Sequence, residues 1–95
     1  MENNLVPFHL AFPVKNLKDT KDFYTDILGC SLGRTNEKWI DFNFYGHQIT
    51  AHLSPESFIK KDISNKVDGK DVPVRHFGLI LNWQDWHNIK DNLIR

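Results

Sequence analysis

Five histidines stand in a chain of 95 residues: His9, His47, His52, His76 and His87. Imidazole both exchanges protons near neutral pH and ligates divalent metals, so their placement comes before any other question. Three of them lie in alternating stretches, each on the less apolar parity. His9 shares its parity with Ala11 and Pro13, His52 with Gln48 and Thr50, and His76 with Gly78. If a sheet curls around its helix-free side, all three imidazoles converge on one cavity. Three nitrogens that leave coordination positions open suit Zn, Ni, Co, Mn or Fe(II) and Lewis-acid chemistry. No short local motif, such as two histidines four apart on a helix, supports this. The competing reading is unrelated surface or hydrogen-bonded histidines. His47, in an expected turn, and His87, on a helix flank, read as solvated.

The elements that would position these residues follow from periodicity. Phe8 to Val14 alternates, with Phe8, Leu10, Phe12 and Val14 on one face, and reads as a strand. Asn16 is placed to cap a helix through Leu28, which Gly29 would terminate. Cys30 to Thr35 is a weaker strand with Gly33 inside it. Trp39 to Tyr45 alternates clearly, with Ile40, Phe42 and Phe44 opposite Trp39, Asp41 and Asn43. Gly46-His47 is expected as a tight turn into a hairpin partner, Gln48 to Leu53. The lysine-rich stretch from Pro55 to Val72, with an Asp68-Gly69 turn signal, reads as a long surface connection. Pro73 to Leu81 alternates again, with Phe77, Leu79 and Leu81 on one face. Asn82 would cap a second helix, with Asp85 completing part of a capping box.

The order is strand, helix, three strands, connection, strand, helix. A weak repeat is visible in it: His9-Leu10-Ala11-Phe12 corresponds to His76-Phe77-Gly78-Leu79, and each is followed by a capped helix. The expected organisation is a βαβββ module over 1–54, a connecting loop over 55–72, and the first strand and helix of a second module over 73–95. The fold class is α+β, with a curved mixed sheet whose apolar face both helices cover.

Composition narrows the function classes. Twelve basic and twelve acidic residues cancel, so no strong field favours nucleic acid or an anionic membrane. The single cysteine, Cys30, has no intramolecular disulfide partner. The opening Met1-Glu2-Asn3-Asn4 lacks the basic and apolar regions of a signal peptide, and no apolar run approaches the ~18 residues of a membrane helix. The expectation is a soluble cytoplasmic protein.

The stretch Phe8-His9-Leu10-Ala11-Phe12-Pro13-Val14, followed by Asp22-Phe23-Tyr24 and Ile27-Leu28-Gly29-Cys30, resembles the opening of a module of the vicinal-oxygen-chelate superfamily. That superfamily comprises glyoxalases, bleomycin-resistance proteins and extradiol dioxygenases. Ala51-His52-Leu53 falls where the fourth strand of glyoxalases carries a metal ligand. Arg75-His76-Phe77-Gly78-Leu79 resembles the strand that opens the second module. The resemblance runs from about residue 7 to 95 and implies His9, His52 and His76 as ligands of a divalent metal (Fe, Mn, Ni, Co or Zn). Two departures stand out. His52 occupies a position usually held by glutamate, and the glutamate expected from the last strand of a second module would fall after Arg95. Glu56, past Pro55, reads as a surface residue.

The resemblance implies a metal-dependent enzyme, of dioxygenase or lyase type, acting on a small substrate chelated through neighbouring oxygens. Trp39, Asp41, Asn43 and Arg34 are the candidate substrate-binding residues; their other reading is solvated strand positions. The alternative function is a metal-free sequestering protein of the bleomycin-resistance type, with Trp39, Tyr45 and Trp83 offering stacking surfaces. The incomplete second module leads to the expectation of a homodimer, in which each chain closes the other's half-cup.

Overall fold

The computed structural model describes residues 6–58 and 64–94. Four strands, β1 (His9–Val14), β2 (Ser31–Thr35), β3 (Trp39–Phe44) and β4 (His47–Leu53), form one mixed sheet in the order β1-β4-β3-β2. β1 runs parallel to β4, while β4 with β3 and β3 with β2 are antiparallel. A parallel pair needs a crossover, and the segment between β1 and β2 supplies its helix. This is the curved α+β module expected from the alternation.

The first helix, α1 (Leu17–Asp22), starts where Asn16 caps it: the Asp19 N–H donates to Asn16 Oδ1 at 2.9 Å. It then widens into a π-helical turn, Phe23–Ile27, closed by the Leu28 N–H to the Phe23 carbonyl at 3.1 Å. Gly29, at φ 76°, lets the chain leave in the left-handed region. The sequence called for one continuous α-helix; the extra residue per turn is the difference.

The core lies between this helix and the sheet. Ile40, Phe42 and Phe44 from β3, Ile49 and Ala51 from β4, and Val14 and Cys30 are all buried. Tyr24 stacks on Phe42 with ring centroids 5.0 Å apart. The β3–β4 turn is Tyr45-Gly46, both at positive φ, rather than Gly46-His47. A two-residue turn of that hand matches the twist of its strands, and it makes His47 the first residue of β4.

Two stretches differ from the sequence expectation. The connection carries a short 3-10 turn, Pro55–Phe58, and a hairpin of β5 (Ser64–Val67) and β6 (Lys70–Pro73) around Asp68-Gly69. The turn signal was present; what it joins is two mostly exposed strands with little apolar alternation to announce them. Conversely, 74–81 alternates but joins neither sheet. A strand exists only where an edge accepts its hydrogen bonds, and the alternation there serves packing instead. Phe77 sits 5.0 Å from Phe12 and 6.0 Å from Phe44 between ring centroids, and Leu79 packs against the core.

The second helix, α2 (Trp83–Ile94), is capped by Asn82, whose Oδ1 accepts the Asp85 N–H at 2.8 Å. It meets the π turn, where Asn92 Nδ2 donates to the Ile27 carbonyl at 3.1 Å. It buries none of its residues. Among the described residues, no helix is long and apolar enough to cross a membrane.

Candidate functional site

The face of the sheet away from α1 carries the residues that could do chemistry. Strand pairing arranges them in three rows across the sheet. The first runs His9, Gln48, Asn43, Ser31. The second runs Ala11, Thr50, Asp41, and the third Pro13, His52, Trp39.

Asp41 anchors the middle row. It is 4% exposed, and Thr50 beside it is buried as well. Its Oδ1 accepts the Thr50 hydroxyl at 2.6 Å, and its Oδ2 accepts Arg34 Nε at 2.9 Å and Gln48 Nε2 at 3.3 Å. Burial pushes this carboxyl upward. The Thr50 hydroxyl, the Arg34 guanidinium and the Gln48 amide together outweigh that and hold it below the ordinary aspartate value.

Arg34 reaches Asp41 because β2 is bulged. Leu32 pairs with Phe42 and Thr35 with Ile40, so two residues of β2, Gly33 and Arg34, stand opposite Asp41 alone. The extra residue turns Arg34 onto the polar face; strict alternation would aim it at the core. Gly33 leaves room for the close approach of β2 to Asp41. A Cβ at that position would lie 3.1 Å from both the Cβ and the carbonyl oxygen of Asp41. The guanidinium also lies 5.3 Å from the centre of the Trp39 ring, so it is held from two sides.

These groups open into a cleft of about 330 Å³ lined by Arg34, Asp41, Asn43, His47 and Gln48, among others. Of the four expected substrate-binding residues, Arg34, Asp41 and Asn43 line the cleft, and Trp39 braces Arg34 from its edge. Gln48, Thr50 and the bulge were not singled out. The signal for them was the shared parity of Gln48, Thr50 and His52, together with a glycine inside a strand. His47 belongs to the structure instead of being merely solvated: its ring stacks on Phe8 at 4.2 Å, and its Nδ1 accepts the Phe8 N–H at 3.0 Å.

The histidines are arranged differently from the expectation. His9 and His52 do share the polar face, and both are exposed. Their rows, however, are four residues apart along β4, roughly 13 Å at the rise of a strand. Two histidines sharing a metal at a tetrahedral angle place their Cα atoms roughly 10 Å apart or less, given metal–nitrogen bonds of about 2.0–2.1 Å. His76 lies outside the sheet, with Nδ1 2.8 Å from the Pro73 carbonyl. Among the described residues, no three His, Cys, Asp or Glu side chains come together as a metal-holding group. The donors as placed do not fit a three-histidine centre. His87 lies on α2, its ring 4.2 Å from that of Trp83, and its Nε2 is buried without a hydrogen-bond partner among the described residues.

The sequence profile of the Glyoxalase/Bleomycin resistance protein/Dioxygenase superfamily matches residues 7–93. The chain is similar to a glyoxalase/bleomycin resistance protein/dioxygenase from Alicyclobacillus acidocaldarius, with 30% identity and a TM-score of 0.73, over 99% of this chain and 65% of that one. It thus spans just under two thirds of that protein's length. Two structures from mobile metagenomes share the fold at 16% identity. One is from V. Pseudocholerae, with a TM-score of 0.54 over 96% of this chain and 68% of that one. The other is an integron cassette protein of V. Cholerae, with a TM-score of 0.51 over 96% of this chain and 70% of that one. Comparison with curated proteins finds no match.

The Asp41 network makes stability depend on pH in a definite direction. A carboxyl whose native value is depressed stabilises the fold fully above its unfolded value of about 3.9, and this is lost as pH falls through the lower native value. Asp41→Asn should lower unfolding free energy at pH 7 by about 1–3 kcal/mol, because it weakens charge-assisted bonds at a buried position. Urea melts from pH 2.5 to 7 should show a shallower acid limb for the variant. An identical limb would assign the acid sensitivity elsewhere.

Proposed function

The chain belongs to the glyoxalase, bleomycin-resistance and dioxygenase superfamily, and from that premise we propose that its polar sheet face is the floor of a site for a small oxygen-rich molecule. The observation that carries this is the Asp41 network. A carboxylate buried on the polar face, bonded to a hydroxyl, an amide and a guanidinium, is costly unless every partner is in place. Such a network fixes the orientation of the groups above it. The cleft volume falls at the small end of the range for ligand sites. Titrating malonate, malonamide or catechol into 15N-labelled protein should shift amides of 33–34, 41–43 and 46–48, and Asp41→Ala should abolish the response. Shifts scattered over the surface, or none with any of the three, would overturn the reading.

A second reading is a metal-dependent dioxygenase- or lyase-type reaction on a substrate chelated through neighbouring oxygens, with His9, His52 and His76 as ligands. It is favoured by His9 and His52 sharing the polar sheet face, neither imidazole with a hydrogen-bond partner among the described residues. It requires the imidazoles to move closer than the strand register holds them. Calorimetric titration with Zn or Ni should then show each of the three Ala variants weakened at least tenfold and His87→Ala unchanged, one ligand being worth more than the ~1.4 kcal/mol that a factor of ten represents. Equal effects from all four would remove the assignment.

The same reading takes 73–94 as the opening of a second module and pairs two chains. Val74, Ile80, Trp83, Leu93 and Ile94 are exposed on that segment, and covering such apolar surface stabilises by about 25 cal/mol per Å². Light scattering at low micromolar concentration should give a homodimer mass. A sharp monomer would exclude the pairing.

A further inference from the structure

We infer that Arg34 is the recognition residue of the cleft and that its guanidinium fork takes a carboxylate, so that the ligand class is a small organic acid. This rests on the small-molecule reading above and narrows it.

Three features of the geometry lead there. The first is the commitment of Arg34. Its Nε is bonded to Asp41 and its Cζ lies 5.3 Å from the centre of the Trp39 ring, yet the side chain remains 76% exposed. A guanidinium pinned through Nε turns one Nη N–H toward the side of the pinning carboxylate, but leaves the end-on pair of Nη N–H bonds facing away from it. Among the described residues, neither Nη has a hydrogen-bond partner. The rotamer cost of holding a long cationic side chain has therefore been met before a ligand arrives.

The second feature is the sense of the electrostatics. Asp41 lies beneath, 6% exposed at its side chain, with its oxygens occupied by Thr50, Gln48 and Arg34. The guanidinium lies above it. The open side of the ion pair is thus the cationic side, and among the described residues no second carboxylate lines the cleft.

The third feature is the inventory of free hydrogen-bonding groups. Asn43 Oδ1 accepts the Gly46 N–H at 2.7 Å, so its NH₂ remains to donate. Gln48 uses one amide hydrogen on Asp41 and retains the other, along with its Oε1 as an acceptor. His47 Nδ1 is occupied by the Phe8 N–H, so that nitrogen offers no free lone pair. The free donors of the cleft therefore outnumber its free acceptors. A ligand that satisfies them brings oxygens without hydrogens, and a carboxylate matches the Nη fork in bidentate geometry.

The test compares two probes of one shape, malonate and its neutral diamide malonamide, by NMR titration of the whole chain at pH 7. The expected result is saturable shifts at the Arg34 Nε–H and Trp39 indole N–H with malonate, and binding of malonamide at least about tenfold weaker, as expected when a charge-assisted bidentate pair is lost. Arg34→Lys keeps the charge and removes the fork. It should weaken malonate at least as much as it weakens malonamide, and its melting curve reads separately the loss of the Nε bond to Asp41. Equal affinity for the two probes, or an unaltered malonate response in Arg34→Lys, would overturn the carboxylate assignment while leaving a small-molecule cleft. Silence from both probes and from catechol would remove the cleft reading itself.

Discussion

The pairing of β3 with β4 in one register is the constraint on which the rest depends. Phe42 stands opposite Ile49 on the core face, and Asp41 opposite Thr50 on the other. Because side chains alternate, a single registration sets both the core and the cleft. A slip of β3 by one residue would carry Asp41 under Tyr24 and expel Phe42. The carboxylate would then be buried without its guanidinium, at a cost of roughly several kcal/mol. The Tyr45-Gly46 turn, with both residues at positive φ, fixes the register from the closed end by pairing Phe44 with His47. Asn43 Oδ1 bonds the Gly46 N–H across the same turn.

From that register the cleft follows through β2. The hydrogen-bond ladder of β3 offers Asp41 one position opposite it, and the bulge fills that position with two residues. Gly33 allows the backbone to approach, and Arg34 is turned over the carboxylate. The bulge therefore couples fold to site directly. Restoring strict alternation at Arg34 would place a cation against the core and leave Asp41 without its counter-charge, so the irregular ladder is the lower-energy arrangement. Trp39, one row away on the same face, limits where the guanidinium rests.

What was legible in the sequence is what depends on parity and on local capping. The strands around Phe12, Phe42 and Ile49, the Asn16 and Asn82 caps, and the face shared by Trp39, Asp41 and Asn43 all follow from residue type and spacing. What depends on a partner was not legible. The alternation of 74–81 is real, and Phe77 and Leu79 do pack on the core, but a strand also needs an edge to bond. The hairpin of β5 and β6 forms with a good turn and weak apolar alternation, so its turn was readable and its strands were not. The π turn before Gly29 satisfies the same apolar stripe as an α-helix, and periodicity does not separate the two.

The histidines show the same limit more sharply. Parity assigns a residue to a face but says nothing of its height along the strand, and height depends on the direction of pairing. Had β1 run antiparallel to β4, His9 at the start of one strand would stand near His52 at the end of the other. The helix between β1 and β2 allows a parallel pair, and in it His9 is level with Gln48. The antiparallel β3 then brings Asn43 to the same level. The row beginning at His9 is therefore an imidazole beside two carboxamides. Carboxamides hydrogen-bond well and ligate metals weakly compared with imidazole or carboxylate. At the level of His9 the face presents hydrogen-bonding groups, as does the Arg34 and Asp41 row beside it.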